Sequence, residues 1–196
     1  MFYYEINGVL PLHHSKRYQI HQMIEVIATQ AGGEQVKGMY RYIVIPKGPG
    51  SCHYLLRSSI ELNSANVNKA RLTLREGQEL VMQCPISLLQ SYYPDPSSKK
   101  RKFFFHSEPE KIKQRISEQL ARVGLQSTAL EASTAQIMDI SKPCHRFTLP
   151  YTITAGTVKV LEPELAINAL VNGIGEKRAF GLGLPIFQLG ANDECS

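Results

Sequence analysis

Residues 2–29 read FYYEINGVLPLHHSKRYQIHQMIEVIAT and place an extended segment directly before an amphipathic one. Aromatic and β-branched side chains dominate residues 2–10, which is typical of a strand. From residue 16 onward the apolar side chains return at helical spacing, as Ile20, Met23, Ile24 and Ile27. We therefore expect a strand followed by a helix that packs this apolar face on a sheet.

The segment after this helix predicts a β-hairpin. GMYRYIVIP at 38–46 and SCHYLLRSS at 51–59 are β-rich runs joined by the turn KGPG. The extended sequence VNKARLTLREGQELVMQCPI follows at 67–86. Strand, helix, hairpin and further strand in this order make residues 1–90 a βαββ(α)β unit, the split motif of ferredoxin-like folds.

The stretch SYYPDPSSKKRK at 91–102 interrupts the periodicity with prolines, serines and a run of four cations. This composition is typical of a linker. We therefore predict an N-terminal unit at 1–90, a basic linker at 91–102 and a C-terminal unit at 103–196. The expected fold class is α+β, with tandem ferredoxin-like βαββαβ units.

The C-terminal half repeats the order of the first half. KFFFH at 102–106 is strand-like, and SEPEKIKQRISEQLARVG at 107–124 predicts a helix with Ser107 as N-cap and Gly124 past its end. Its apolar side chains recur every four residues, as Ile112, Ile116 and Leu120. Extended sequence follows at 128–140 and 145–160, then a helix from Pro163 and a strand at 184–189.

Composition limits the class of protein. The 196 residues are 43% hydrophobic, enough for a substantial core, and the net charge of +5 suits an anionic partner. No apolar run approaches the roughly 18 residues of a membrane span. The N-terminus carries Glu5, His13 and His14 where a signal peptide is apolar. We expect a cytoplasmic protein without a membrane partner.

Metal and disulfide chemistry are not indicated by the cysteines. The four cysteines lie far apart without a Cys-x-x-Cys pair, which predicts neither a zinc site nor a disulfide framework. We expect no metal ligands and no cofactor.

A glycine-rich run, GIGEKRAFGLGLP, occupies residues 173–185. A dinucleotide fingerprint fails because Arg178 stands where its third glycine belongs, and the spacing of a P-loop fails as well. Two interpretations are left. The run is either a plain connection from helix to strand or a platform whose bare backbone approaches a phosphate chain.

Three stretches together resemble a known family: YQIHQMIEVI at 18–27, SCHYLLRSS at 51–59 and GIGEKRAFGLGL at 173–184. Their order and separation are similar to those of the repeat-processing endoribonucleases of type I-E CRISPR systems, the crRNA-maturing subunit of Cascade. Type IV systems use a similar enzyme, and the sequence does not separate the two. The resemblance implies a tandem ferredoxin-like protein that binds the hairpin of a CRISPR repeat, cuts at its 3′ base without metal and stays bound to the crRNA in an effector complex.

The resemblance also implies roles for individual residues. It assigns the glycine-rich run to the RNA, with Lys177 and Arg178 as phosphate contacts beside Gly173, Gly175, Gly181 and Gly183. His21 matches the catalytic histidine and Tyr18 the tyrosine that orients the hydroxyl or the base. An imidazole with a pKa near about 6.5 can move either proton of the cleavage at neutral pH. Tyr18 and His21, three residues apart on a helix, project from one face.

Further cations are candidates for RNA contact. Arg17, at the start of the same helix, can stabilise charge on the phosphorus, and Lys99, Lys100, Arg101 and Lys102 can contact the RNA stem or form a solvated loop. Some relatives carry a lysine further along the catalytic helix, but MIEVIAT has none, so this cation is unassigned. His13 and His14 remain alternative helpers.

Two other functions are compatible with the sequence. A ferredoxin-like chain can be a non-catalytic module that binds an RNA hairpin. It can also be a small-molecule enzyme or regulatory domain, because fold alone does not fix function.

Overall fold

The computed structural model describes residues 1–94, 101–175, 178 and 180–189. Residues 1–71 contain one helix and four strands. In chain order these are β1 (Phe2–Leu10), α1 (Arg17–Gly32), β2 (Tyr40–Gly48), β3 (Ser51–Ser58) and β4 (Val67–Arg71). A short 3-10 turn, Glu34–Val36, joins α1 to β2.

The remainder contributes two helices and seven strands within the described residues. They are β5 (Glu79–Ser87), β6 (Gln90–Tyr92), β7 (Lys102–Phe104), α2 (Pro109–Ala121), β8 (Leu125–Ala132), β9 (Gln136–Ser141), β10 (Arg146–Val160), α3 (Pro163–Asn172) and β11 (Ile186–Leu189).

The first sheet has the order β4-β1-β3-β2 with antiparallel neighbours, as the split motif requires. Ile6 of β1 lies opposite Leu56 of β3, and both side chains are buried beneath α1. The hairpin of β2 and β3 is confirmed. No helix forms between β3 and β4, where residues 59–66 make the connection.

The buried face of α1 differs in one position from the expected one. Ile20 and Ile24 are buried, and Ile27 is partly buried, but Met23 is 37% exposed. The face continues instead through Ala28 and Ala31, whose small side chains let the helix approach the sheet.

The second sheet repeats the same order, β11-β5-β10-β8, with β9 paired to β10. With β5 as its first strand, the sequence β5-α2-β8-β10-α3-β11 is a complete βαββαβ unit. The α+β fold with tandem ferredoxin-like units is therefore confirmed. The second unit opens with β5, so the boundary between the sheets does not coincide with the expected division at residue 90.

The strand expected to open the second unit, KFFFH, has a different place. Its core, β7, pairs with β6 and with no other strand of the described residues, so the two make a separate two-stranded antiparallel sheet. In β5 the alternate side chains Leu80, Met82, Cys84 and Ile86 are all buried, whereas every residue of β7 is exposed. Burial on one full face makes β5 the central strand.

The N-terminus of α2 also corrects an expectation. Glu108, not Ser107, occupies the N-cap, and the helix starts at Pro109. A residue before proline is driven toward extended dihedrals, and proline suits the first helical position. Glu108 has φ −69° and ψ 130° accordingly. The three isoleucine and leucine positions that recur every four residues are buried as expected.

Arg57 of β3 joins the two units. Its side chain is 3% exposed, and its Nε donates to Oε1 of Glu5 over 2.6 Å. Its Nη1 donates to the backbone oxygens of Leu170, in α3, and of Pro185, which precedes β11. The guanidinium of the first unit is thus bonded to the helix before the glycine-rich run and to the last residue of the run.

Within the described part of the chain, no helix is long and apolar enough to span a membrane.

Candidate functional site

The glycine-rich run connects α3 to β11 through close backbone packing. A Cβ on Gly183, at φ +81°, would lie 2.6 Å from the backbone oxygen of Ile174. A Cβ on Gly181, at φ +83°, would lie 3.3 Å from Arg17 Nη1 and from the ring of Tyr42. These positions need glycine because the run folds back on itself and on the first unit.

This folding places Phe180 against the candidate catalytic helix. Phe180 has φ 63°, a left-handed conformation that is uncommon for a residue with a side chain. Its ring is nearly buried, and its centroid lies 5.1 Å from that of His21. The ring of Tyr42 stacks at 6.1 Å from that of His21. The imidazole therefore has one aromatic ring from each unit next to it.

The surroundings of His21 hold its imidazole in the neutral form. Its Nδ1 is enclosed and has no hydrogen-bond partner among the described residues, which leaves Nε2 as the nitrogen that a ligand can reach. Burial lowers the pKa of His21, and the ammonium of Lys142 lowers it further, while the carboxylate of Glu25 opposes both. At neutral pH the ring can accept a proton.

Lys142 is a cation that the sequence analysis did not find. It follows β9 in a turn closed by reciprocal backbone hydrogen bonds with His145. Its Nζ lies 5.6 Å from the ring centroid of Tyr18, 5.6 Å from that of Phe180 and 5.7 Å from that of Phe147. Attraction to the faces of the rings holds an exposed ammonium beside the imidazole.

Lys142 and Phe180 were missed for different reasons. Lys142 lies in the second unit, far from His21 in sequence, so no local spacing connects them. Phe180 carried a signal, since it is an aromatic residue inside a glycine-rich run. An aromatic side chain at such a position is a candidate contact for whatever the run approaches.

Tyr18 lies with these residues as expected from its spacing to His21. Its ring packs on the small cluster that contains Phe180, Leu182 and Met138. Tyr18 and Lys142 also line an open cleft of about 600 Å³, together with Arg17. The cleft joins the N-terminus of α1 to the turn between β9 and β10.

Arg17 is mostly enclosed behind this cleft. Burial lowers the pKa of its guanidinium, and the phenols of Tyr151 and Tyr42 oppose that shift. Its contact with Gly181 brings it to the glycine-rich run. His14, Arg17 and Gly181 line a second cavity. His13 forms a hydrogen bond with Ser15 Oγ at 2.7 Å.

Arg178 turns toward its own chain. Its Nη1 donates to the backbone oxygens of Asn172, at 3.0 Å, and Gly173, at 3.3 Å, and so caps the C-terminus of α3. Arg41 Nε donates to the same Asn172 oxygen at 3.0 Å. Gly173 and Gly175 line a small cavity with Arg178, so these three expected residues are close together. Lys177 lies outside the described residues.

The described part of the basic stretch lies at the start of β7. Arg101 Nε donates to the hydroxyl of Tyr93 at 2.9 Å, and Lys102 is exposed at the start of β7. Lys99 and Lys100 lie outside the described residues.

In residues 1–94, 101–175, 178 and 180–189, no group of three or more His, Cys, Asp or Glu side chains can hold a metal ion. Cys52 and Cys84 are buried free thiols, and Cys144 is an exposed one.

Fold and site together define a tandem ferredoxin-like protein with a candidate proton-transfer site where its two units meet. The family model described as CRISPR associated protein matches residues 15–186. The chain therefore belongs to this family of CRISPR-associated proteins, and the resemblance found in the sequence is confirmed. No curated protein matches the chain at a significant level.

Solved structures share the fold at low sequence identity. The CRISPR endoribonuclease Cse3 bound to 19 nt RNA has a TM-score of 0.72 at 14% identity, over 95% of this chain and 98% of the other. The CRISPR-associated protein Cas6e from Escherichia coli str. K-12 has a TM-score of 0.69 at 15% identity, over 96% of this chain and 100% of the other. A chain of a CRISPR RNA-guided surveillance complex has a TM-score of 0.67 at 14% identity, over 95% of this chain and 99% of the other.

Proposed function

We propose that this protein is a metal-independent endoribonuclease that binds the stem-loop of CRISPR repeat RNA and cuts pre-crRNA at the 3′ base of the hairpin. It then stays on the mature crRNA as a subunit of a Cascade-like effector complex in the cytoplasm. The observation that carries the proposal is the meeting of His21, Tyr18 and Lys142 beside Phe180. Family membership and the RNA-bound and complex-bound proteins of the same fold support it.

His21 acts as the base in the proposed reaction. Its Nε2 takes the proton of the ribose 2′-hydroxyl, the 2′-oxygen attacks the adjacent phosphorus in line, and the bond to the 5′-oxygen breaks. The leaving 5′-oxygen takes a proton from water, and the proton on His21 is returned to solvent after the products form. The products are a 2′,3′-cyclic phosphate and a 5′-hydroxyl. A lowered pKa suits this role because it favours the unprotonated imidazole at neutral pH.

Lys142 supplies the cation that is missing from the catalytic helix. Negative charge builds on the phosphoryl oxygens as the 2′-oxygen attacks, and an ammonium held in place beside the imidazole stabilises it. Tyr18, whose ring contacts the same ammonium, orients the hydroxyl or the base of the reacting nucleotide. Arg17 contributes positive potential from behind the cleft.

The RNA stem is held chiefly through its phosphates. An A-form stem is recognised by shape and backbone, so cations spread over a surface suffice. We assign this role to Lys99, Lys100, Arg101, Lys102, Lys177 and the partly exposed Arg178, with the backbone of Gly175 close to the phosphate chain. Gly173, Gly181 and Gly183 are buried, so they shape the glycine-rich run and do not contact the RNA.

Single-turnover cleavage of a repeat RNA tests the proposal. His21→Ala should slow cleavage by about 10²- to 10⁴-fold, the range for a positioned acid or base, with hairpin affinity within a few-fold of the parent. EDTA should leave the parental rate intact. Tyr18→Phe, which keeps the ring, should cost less. A His21→Ala protein with a native circular dichroism spectrum that cuts at the parental rate refutes the assignment, and EDTA-sensitive cleavage that magnesium restores refutes metal independence.

The second candidate is a non-catalytic module that binds the same RNA hairpin. Tight binding of the repeat hairpin by the parent protein without any cleavage supports that candidate instead.

A further inference from the structure

An aromatic pocket of about 700 Å³ opens beside the candidate site. Five phenylalanines contribute to its lining: Phe103, Phe104, Phe105, Phe147 and Phe180. Strand β7 and the residue after it supply Phe103–Phe105, and the second unit supplies Phe147 and Phe180. Phe104 is 36% exposed and Phe105 38% exposed, so large apolar rings of this lining are accessible to solvent.

The pocket shares two walls with the candidate catalytic residues. Phe180 packs against His21 and also lines the pocket. Phe147 lies edge-on to Phe180 at 5.8 Å and also contacts the ammonium of Lys142. A nucleotide whose phosphate reaches Lys142 and His21 therefore has its base within reach of the pocket.

The proposed reaction needs a site that binds an unstacked base. In-line attack requires the 2′-oxygen, the phosphorus and the leaving 5′-oxygen to align, whereas a nucleotide stacked in an A-form helix holds the 2′-oxygen to the side. One of the two nucleotides that flank the cut must leave the stack. An unstacked base is stabilised by aromatic side chains, which accept the face of any base.

We propose that the aromatic pocket binds the base of an unpaired nucleotide that flanks the scissile phosphate, and that this binding sets the geometry for in-line attack. The inference rests on the proposed function and adds a base-binding site to it. Arg101 and Lys102 immediately precede Phe103, so cations for the phosphates of the same strand lie next to the aromatic wall.

The first test changes the RNA and leaves the protein intact. Repeat RNAs carry an abasic nucleotide either directly 5′ or directly 3′ of the cut, or in the hairpin loop as a control. One flanking substitution should slow single-turnover cleavage by about 5- to 150-fold, the ratio that corresponds to about 1–3 kcal/mol of base stacking, while the loop substitution has little effect. Equal rates for all three RNAs overturn the inference.

The second test changes the protein. The variant Phe103→Leu/Phe105→Leu keeps apolar side chains but removes two rings, and it should slow cleavage of the intact RNA yet lose little further rate on the abasic RNA. Phe2→Leu is the matched control, because Phe2 is 52% exposed on β1 in the first sheet. Equal slowing of the double variant on both RNAs contradicts base binding.

Photocrosslinking locates the base without relying on rates. A repeat RNA with 5-iodouridine at the flanking position should crosslink to a peptide that contains Phe103–Phe105 or Phe180, as identified by mass spectrometry. Crosslinks only elsewhere overturn the inference.

If the parent protein cuts normally and the pocket variants matter only for assembly with other subunits, the pocket is a protein-docking surface and the proposed function stands. If the parent protein neither binds nor cuts repeat RNA, the proposed function itself fails.

Discussion

Replacing Arg57 with methionine should destabilise the whole fold. The guanidinium is 3% exposed and donates to Glu5, to the Leu170 carbonyl and to the Pro185 carbonyl. Its Cζ lies 5.1 Å from the ring centroid of Tyr3 and 5.0 Å from that of Phe187. Methionine keeps the apolar volume but leaves a largely buried carboxylate and two carbonyls without a donor.

The size of the effect follows from these lost partners. Breaking a buried ion pair from one side costs about 3–5 kcal/mol, because the remaining charge stays buried and unpaired. For a chain of this length, each kcal/mol lowers Tm by about 2–4 °C, so Arg57→Met should lower Tm by about 6–20 °C. Adding Glu5→Gln removes the orphaned charge and should recover part of the loss.

Thermal unfolding followed by circular dichroism measures this effect. Arg146→Met is the matched control, since Arg146 pairs with Asp139 at 3.6 Å on the surface, with 73% and 58% of the side chains exposed. An exposed pair of this kind contributes at most about 1 kcal/mol. An Arg57→Met protein that unfolds within 2 °C of the Arg146→Met control refutes the role of Arg57 at the junction.

Two further predictions concern the candidate site. The ammonium of Lys142 lowers the pKa of His21, and the carboxylate of Glu25 raises it. Lys142→Met should therefore move the acid limb of the single-turnover pH–rate profile to higher pH, and Glu25→Gln should move it to lower pH. Shifts of both variants in the same direction contradict the assignment of this limb to His21. Lys177→Ala should reduce the salt dependence of hairpin binding without changing Tm, whereas Arg178→Ala should reduce it and also lower Tm because it removes the cap of α3. An unchanged salt slope for both variants excludes phosphate contacts by these two residues.

The local elements of the fold were predictable from the sequence, but the membership of one strand was not. Periodicity identified β1, α1 and the hairpin of β2 and β3, because each pattern is contained in a short segment. For β5 the alternation predicts a strand with one buried face, but it does not say to which sheet the strand belongs. Pairing with β10 and β11 depends on residues far away in the chain.

The candidate site was predictable only as far as local spacing reaches. Tyr18 and His21 lie on one helix, so their proximity follows from helical geometry. The position of Lys142 depends on the turn after β9 and on three aromatic rings drawn from both units. Only the folded chain brings this lysine to the imidazole. The N-cap of α2 was misplaced by one residue because the effect of Pro109 on its neighbour outweighed the preference for serine.

The meeting of His21 with Lys142 and Phe180 has a consequence for the newly synthesised chain. A ribosome releases α1 long before the turn after β9, and the glycine-rich run emerges later still. A partly synthesised protein thus carries the imidazole without its cation or its aromatic wall. Under the proposed function, the cell is protected from stray cleavage of its own transcripts until translation has passed the glycine-rich run and the chain has closed around the histidine.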